Sequence, residues 1–405
     1  MKITYLHQYF KFPNETGGTR SFDLSNGFLK IGHDVDIITS TSSEEMKSKN
    51  RWFKLKKRGI KVNYIYLPYS NKMAYFNRVI VFLKFAWFSS FKLLSLKTDI
   101  VLATSTPLTI GIPALIKKWF HKTPYIFEVR DVWPEAPIAV GVIKNKFFKK
   151  ILFWLEYLIY KNSSAIIPLS VDMKYSIISR YPKLKKKITV IENISEMERF
   201  QKKHNKKKSF LKNKIGFKPR FSILYAGTFG HVNGIDYVIR MAHEIIKLDT
   251  TIVFILIGDG KEKNKIMQEA IKKRLINKNI FFLNPISKKD LPKLYFECDM
   301  ASSFVIPIKE LWANSANKFF DTLAAGKPIL INYKGWQQKV INKANIGYVL
   351  PLNIKKTLVK KFIAYTRNKL LILKQGKNAK YFAKENYALN IALTKYNSVL
   401  STLKN

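Results

Sequence analysis

The residues best equipped for chemistry lie in short loops that follow β-branched runs. Gly17-Gly18-Thr19-Arg20 opens a helix after the first such run. Two glycines let backbone N–H groups approach an anion, the helix N-terminus adds its dipole, and Arg20 is placed to clamp a phosphate. A flexible loop with Thr19 as its cap would use the same residues. After the run Tyr125–Glu128 comes Arg130-Asp131-Val132-Trp133-Pro134-Glu135. Three charges around a Trp-Pro turn need partners, either a ligand or one another in a salt-bridged loop.

In the second half, Gly227 and Thr228 follow a strand, Gly258-Asp259-Gly260 closes another, and Asn284-Pro285-Ile286 follows a third. A tight turn alone would account for the second of these. The most informative stretch is Asn314-Ser315-Ala316-Asn317-Lys318-Phe319-Phe320-Asp321, which runs into Ala324-Ala325-Gly326-Lys327-Pro328. Ser315 or Asn317 is expected to cap a helix whose first amides, with Lys318, face a phosphate. Asp321, one turn on from Asn317, is placed to accept from ribose hydroxyls. A nucleotide needs this pairing of a phosphate cradle with a nearby carboxylate. Asp34-Val35-Asp36 has metal-site spacing but begins a strand, so both carboxylates are expected at solvent. His231, the one histidine beside a candidate loop, reads as structural.

The elements that must position these loops alternate. Ile3–Tyr9, Val35–Thr39, Val62–Leu67, Ile100–Ala103, Tyr125–Glu128 and Ala165–Pro168 read as strands between helical segments. The pattern breaks at Gln201–Arg220, which holds nine basic residues and no acid and reads as a solvated connection. It then restarts with Ser222–Tyr225, Thr251–Gly258, Ile280–Leu283, Met300–Phe304 and Ile329–Asn332. Strand–helix alternation implies α/β architecture with parallel sheets, whose ligands bind beyond the carboxyl ends of the strands. The expectation is two doubly wound Rossmann-like domains, residues 1–195 and 196–383. A late helix, about Lys377–Leu403, is left over after the second sheet.

Composition limits the partners. The 405 residues carry 72 Lys and Arg against 27 Asp and Glu, a formal +45. One cysteine, Cys298, excludes a disulfide framework and a thiolate-rich zinc site, and the six histidines show no metal-ligand spacing. No metal and no cofactor are expected. No signal-peptide layout opens the chain, and no uncharged apolar run reaches the ~18 residues of a membrane span.

These motifs, taken in order, resemble the family 4 retaining glycosyltransferases of the GT-B fold. The resemblance runs essentially end to end. It takes in Gly17-Gly18, Gly32-His33-Asp34-Val35, Val190-Ile191-Glu192-Asn193, Gly258-Asp259-Gly260, and Asp321 with Ala324-Ala325-Gly326-Lys327-Pro328. His7-Gln8-Tyr9-Phe10, Gly17-Gly18-Thr19-Arg20, Arg130 to Glu135 and Ser315-Ala316-Asn317-Lys318 are similar to the bacterial surface-polysaccharide subgroup that includes L-fucosamine (FucNAc) transferases. The family's paired glutamates become Ala313 and Asp321, and its Arg and Lys after the first strand of the second domain become Thr228 and Asn233.

The resemblance implies a nucleotide-diphosphate sugar, most simply a UDP-sugar, in the second domain. Gly227, Thr228, Gly258, Asp259, Gly260, Asn284, Ile286, Ser315, Asn317, Lys318 and Asp321 would bind it. The acceptor would lie in the first domain at Gly17, Gly18, Thr19, Arg20 and Glu135, with Arg20, Arg130, Asp131 and Lys318 as catalytic groups. It also implies a C-terminal helix, residues 384–405, that crosses back to the first domain.

The charge admits nucleic acid or a membrane. No zinc module, basic heptad region or aromatic RNA-binding signature is present. In Arg78–Phe88 and Lys144–Tyr160, cations instead interleave with aromatic and aliphatic anchors, as in helices at an anionic interface. Ordinary core helices would show the same residues on one side. The reading is a cytoplasmic enzyme peripheral to the inner face of the membrane, with a lipid-linked saccharide acceptor and no nucleic-acid partner. A basic nucleic-acid-binding protein and a two-Rossmann sugar-nucleotide epimerase are the alternatives.

Overall fold

The computed structural model describes residues 1–48, 51–70, 73–201 and 210–403. Most of the basic run, from 202 to 209, lies outside the described residues. The first domain is a seven-stranded sheet in the order β3-β4-β2-β1-β5-β6-β7. Its strands are β1 (Lys2–Leu6), β2 (Asp34–Thr41), β3 (Trp52–Lys57), β4 (Ile60–Tyr66), β5 (Ile100–Thr104), β6 (Tyr125–Val129) and β7 (Ala165–Pro168). All pairings are parallel except β3 with β4. The residues of β5, β6 and β7 are buried throughout, as continuous apolar runs in a doubly covered parallel sheet require.

The first domain's helices are α1 (Arg20–Lys30), α2 (Tyr75–Leu94), α3 (Gly111–His121), α4 (Glu135–Ala139), α5 (Lys146–Asn162) and α6 (Val171–Arg180). The second domain holds β8 (Phe221–Ala226), β9 (Ile252–Ile257), β10 (Ile280–Leu283), β11 (Met300–Ser303), β12 (Ile329–Ile331) and β13 (Gly347–Val349), in the order β10-β9-β8-β11-β12-β13. Around them pack α7 (Phe210–Ile215), α8 (Asp236–Ile246), α9 (Lys263–Lys272), α10 (Leu291–Glu297), α11 (Asn317–Ala324), α12 (Trp336–Ala344), α13 (Lys356–Arg367) and α14 (Lys369–Asn386). The last helix, α15 (Leu389–Ser401), returns to the first domain.

Several expectations change. β3 is a lysine-studded antiparallel edge strand, joined to β4 through Arg58 and Gly59 at φ 52° and 80°. Its charges guard an edge and obscure the strand pattern. The basic run is not wholly solvated, since Leu211 and Ile215 of α7 are buried against β9 and α10 residues. Asp36 is buried beside Lys2 at 3.4 Å instead of facing solvent.

The late helix is two helices. The carbonyl of Tyr387 at the end of α14 accepts from the Ser195 amide (2.8 Å), whose hydroxyl donates to the Phe320 carbonyl (2.9 Å). The chain then turns, and Tyr396, Val399 and Leu400 of α15 join the first domain's core. Gly27 makes room on α1: a Cβ there would meet Leu393 Cδ1 at 2.5 Å.

Candidate active site

The loops beyond the carboxyl ends of both sheets face one another across a cleft with a cavity of ≈ 520 Å³. Gly17 and Gly18 line it from the first domain, and Gly227, Thr228, Gly258, Asp259, Ile286, Asn317, Lys318 and Asp321 from the second. The approach is close. A Cβ on Gly18 would stand 2.5 Å from Asn317 Nδ2, and one on Gly258, at φ +148°, would collide with the Gly227 carbonyl. Only glycine fits at position 258, whereas a side chain at position 18 would have to displace the Asn317 amide. Gly260 lies behind this surface, against the Phe229 backbone, and Asn284 is exposed on the loop beside Pro285 and Ile286.

The α11 helix begins differently from expectation. Its N-cap is Ala316, with no capping side chain. Asn317 Oδ1 instead accepts from Asn193 Nδ2 at 2.6 Å, and the same amide donates to the Ser315 carbonyl at 3.2 Å. The Ser315 hydroxyl is buried and finds no partner among the described residues. The Phe319 amide donates to the Ala316 carbonyl (3.0 Å), and the Asn317 and Lys318 amides, which have no partner among the described residues, are left to the cleft.

Lys318 is half-buried, with Nζ 3.4 Å from Asn233 Oδ1 and 4.9 Å from the Tyr225 ring centroid. Among the described residues it makes no ion pair. Burial pushes its ammonium down to about 8, with Asp321 opposing the shift. A cation held this way is short of an anion. Asp321 is buried and ion-paired with Lys288, itself buried. Lys288 lies among other charged residues after β10, with nothing in its spacing to tie it to Asp321. Its amide also reaches the Glu15 carbonyl across the cleft at 3.3 Å.

The first-domain candidates separate. Arg20 is not a clamp in the cleft. Its side chain is fully buried and bonded to Glu128 (2.9 Å), the carbonyls of Glu192 (2.7 Å) and Ile191 (3.2 Å), and Tyr396 Oη (3.4 Å). Tyr396 Oη also donates to Glu128. Burial raises the Glu128 carboxyl, but Arg20, then Arg130, outweigh it and hold the group down to about 2. Thr19 likewise turns inward, donating to Asp23 (2.8 Å) and accepting from Arg199 (3.1 Å). Glu135 is ion-paired with Arg180 and accepts from Ser176 (2.6 Å), so it closes a loop and does not reach the cavity.

Arg130 does stand at the cleft, with Nη2 3.6 Å from the Cβ position of Gly18. Its Nη1 donates to His7 Nε2 (3.2 Å), so the proton of a neutral ring is on Nδ1, 2.7 Å from Ser21 Oγ. Burial, then Arg130, lowers the His7 pKa well below its ordinary value and keeps the ring neutral. Asp131 is exposed and accepts from the Thr106 hydroxyl at 2.6 Å. Where the family carries its first glutamate, Ala313 packs on Val132, Leu169 and Met173 and its carbonyl accepts from Ser170 (2.7 Å). That position holds the domains together. His231 is exposed. No three His, Cys, Asp or Glu among the described residues converge on a metal-sized site.

Two Rossmann-like parallel-sheet domains facing across a cleft have the architecture of the GT-B class. The family model for glycosyltransferase family 4 matches residues 17–199, and that for glycosyl transferases group 1 matches residues 207–385. The two together span most of the chain, which belongs to the GT-B glycosyltransferases of family 4 type.

An uncharacterized glycosyltransferase of Methanocaldococcus jannaschii is 25% identical over 58% of this chain and 55% of its own length. The probable glycosyltransferase WbjE of Pseudomonas aeruginosa is 23% identical, over 71% of each. The chain thus spans little more than half of the archaeal relative. Among solved structures, Anabaena HepE in complex with UDP and glucose superposes with a TM-score of 0.73 at 14% identity, over 99% of this chain and 100% of HepE. WaaG, a glycosyltransferase involved in lipopolysaccharide biosynthesis, does so with 0.68 at 16%, over 98% of both.

Proposed function

We propose that the protein is a retaining, metal-independent glycosyltransferase of surface-polysaccharide assembly, of the L-fucosamine transferase kind. It moves a sugar, of the N-acetylated amino class, from a UDP-sugar to a saccharide carried on a lipid diphosphate at the inner face of the cytoplasmic membrane. The observation that carries this reading is Lys318. Its half-buried ammonium has no carboxylate partner among the described residues and lies at the uncapped start of α11, one turn from buried Asp321.

The diphosphate occupies the α11 amides and Lys318 Nζ. Charge builds there as the glycosidic bond to the leaving group breaks, and preorganised donors stabilise it by ~3 kcal/mol each. Asn233 falls where the related enzymes place a lysine, and Lys318 Nζ beside it supplies the cation. Asp321, held by Lys288, receives the ribose hydroxyls, and Arg130, aligned by neutral His7, faces the donor from across the cleft. Asp131, exposed on the same loop, is assigned to the acceptor.

Retention is expected to proceed on one face of the sugar, the departing phosphate taking the acceptor proton. No observation favours nucleic-acid binding or epimerisation. Thermal shift with UDP-, GDP- and dTDP-sugars tests the reading. Stabilisation by one nucleotide family, lost in Lys318→Ala, is expected, and no response to any of them refutes it.

A further inference from the structure

We infer that the outer face of the α2–α3–α5 layer is a docking surface for an anionic lipid bilayer. The inference rests on the proposed function for the acceptor's lipid carrier, but its evidence is separate. The three helices cover one face of the first sheet, and their inner sides supply Val81, Phe85, Ala114, Ile159 and Tyr160 to its core. Their outer sides are apolar as well. On α2, Phe76, Leu83, Trp87 and Phe91 recur at intervals of seven, four and four residues, a single exposed stripe. On α5, Phe147, Ile151 and Trp154 repeat the pattern, and α3 ends in exposed Trp119 and Phe120. Among the described residues every largely exposed tryptophan lies on this layer: Trp87 (65%), Trp119 (52%) and Trp154 (61%). Scattered apolar residues are normal on a soluble surface, but exposed apolar stripes on three helices packed side by side mark an interaction site.

Charge selects the occupant. The layer carries Lys84, Lys146, Lys149 and Lys150 among the aromatics, while Arg78 is half-buried over the Tyr69 ring and Lys118 donates to the Asn162 carbonyl. Its one carboxylate, Glu156, is buried and bonded to Arg180 (2.8 Å) and Tyr181 (2.8 Å). Cations and aromatic anchors with no exposed acid match lipid phosphates above acyl chains. A second copy of the same face would oppose its own lysines. No described helix is long and apolar enough to cross a membrane, so the contact is peripheral. Direction fits too. Helices that follow parallel strands start at the strands' carboxyl ends, so Phe76 and Phe147 lie toward the cleft rim and Phe91 and Trp119 at the far end. A bilayer on this face meets the cleft edge where a lipid-borne acceptor enters.

The test uses the full chain with vesicles of phosphatidylcholine alone or mixed with phosphatidylglycerol, read by co-sedimentation and tryptophan emission. Binding to the mixed vesicles with a blue shift, weakening as salt rises, is expected. Lys149→Ser with Lys150→Ser lowers partitioning about fivefold per cation, and Trp87→Ser with Trp154→Ser lowers it at least as much, while UDP binding and the unfolding midpoint stay unchanged. Failure of the parent chain to bind mixed vesicles at low salt, or variants that bind like it, overturns the inference. Self-association abolished by the tryptophan changes, without vesicle binding, overturns it in favour of a dimer. Vesicle binding without any UDP binding leaves this inference standing and refutes the transferase reading.

Discussion

If a diphosphate binds beside Lys318 as proposed, it draws a proton from solvent onto every Lys318 that lacks one. In the free protein, burial lowers this ammonium from 10.5 to about 8, a displacement that disfavours the charged form by ~3 kcal/mol. An anion at Nζ restores the charge, so binding takes up a proton wherever the free side chain lacks one. With a free value of about 8, roughly a tenth of the molecules lack it at pH 7, about half at pH 8 and about nine-tenths at pH 9. Calorimetric titration with UDP in two buffers of different ionisation heat measures that uptake directly. It is expected to climb through those fractions, with affinity falling toward tenfold per pH unit above pH 8. Uridine, without phosphate, takes up none. Lys318→Met abolishes the uptake and weakens UDP by ~1.5–3 kcal/mol, as loss of a hydrogen bond to a charged group does. In the absence of ligand the unfolded chain keeps this proton to 10.5 and the folded one releases it at about 8, so stability gains as pH rises through that window. Uptake that stays flat from pH 7 to 9, or that survives Lys318→Met, refutes the assignment.

Arg20→Met leaves Glu128 buried and unpaired and is expected to cost ~3–5 kcal/mol in urea unfolding; lost turnover at unchanged stability would restore Arg20 to the reaction. Because Glu128 is held at about 2 against an ordinary 4.5, its contribution is full above pH 4.5 and fades as pH falls toward about 2, and Glu128→Gln removes that part of the acid slope. Asp321→Asn weakens uridine and UDP alike by ~1.5–3 kcal/mol, whereas Lys288→Met chiefly lowers stability, by ~3 kcal/mol, and the double variant recovers most of that loss. Gly18→Ala drives a Cβ toward Asn317 Nδ2 at 2.5 Å and is expected to slow turnover by roughly ten- to a hundredfold through misplacement, read in a donor-hydrolysis assay.

The legible parts of this molecule were those with a short physical cause. Apolar β-branched runs give central strands wherever both sheet faces are covered, and β5 to β7 follow the rule. Glycines after strands mark close approach, and Gly258 lies against the Gly227 backbone while Gly18 lies against the Asn317 side chain. Burial and partner choice were not legible. Arg20 follows two glycines at a helix start, as a phosphate clamp would, yet its acceptors lie 108 to 376 residues away in sequence. Lys288 takes its meaning only from Asp321, 33 residues on. The helix boundary between α14 and α15 has no glycine or proline, because its stop signal is a hydrogen bond from Ser195.

The return of α15 has a consequence for synthesis on the ribosome. Tyr396, Val399 and Leu400 belong to the first domain's core, and Tyr396 completes the shell around Arg20 and Glu128. A nascent chain that has finished residues 1–195 therefore holds a buried-ion site with one wall missing and an apolar groove along α1. The second domain can close its own sheet as it emerges, but the first waits for the final helix. Truncation within α15 should therefore unfold the domain made first while sparing the one made last.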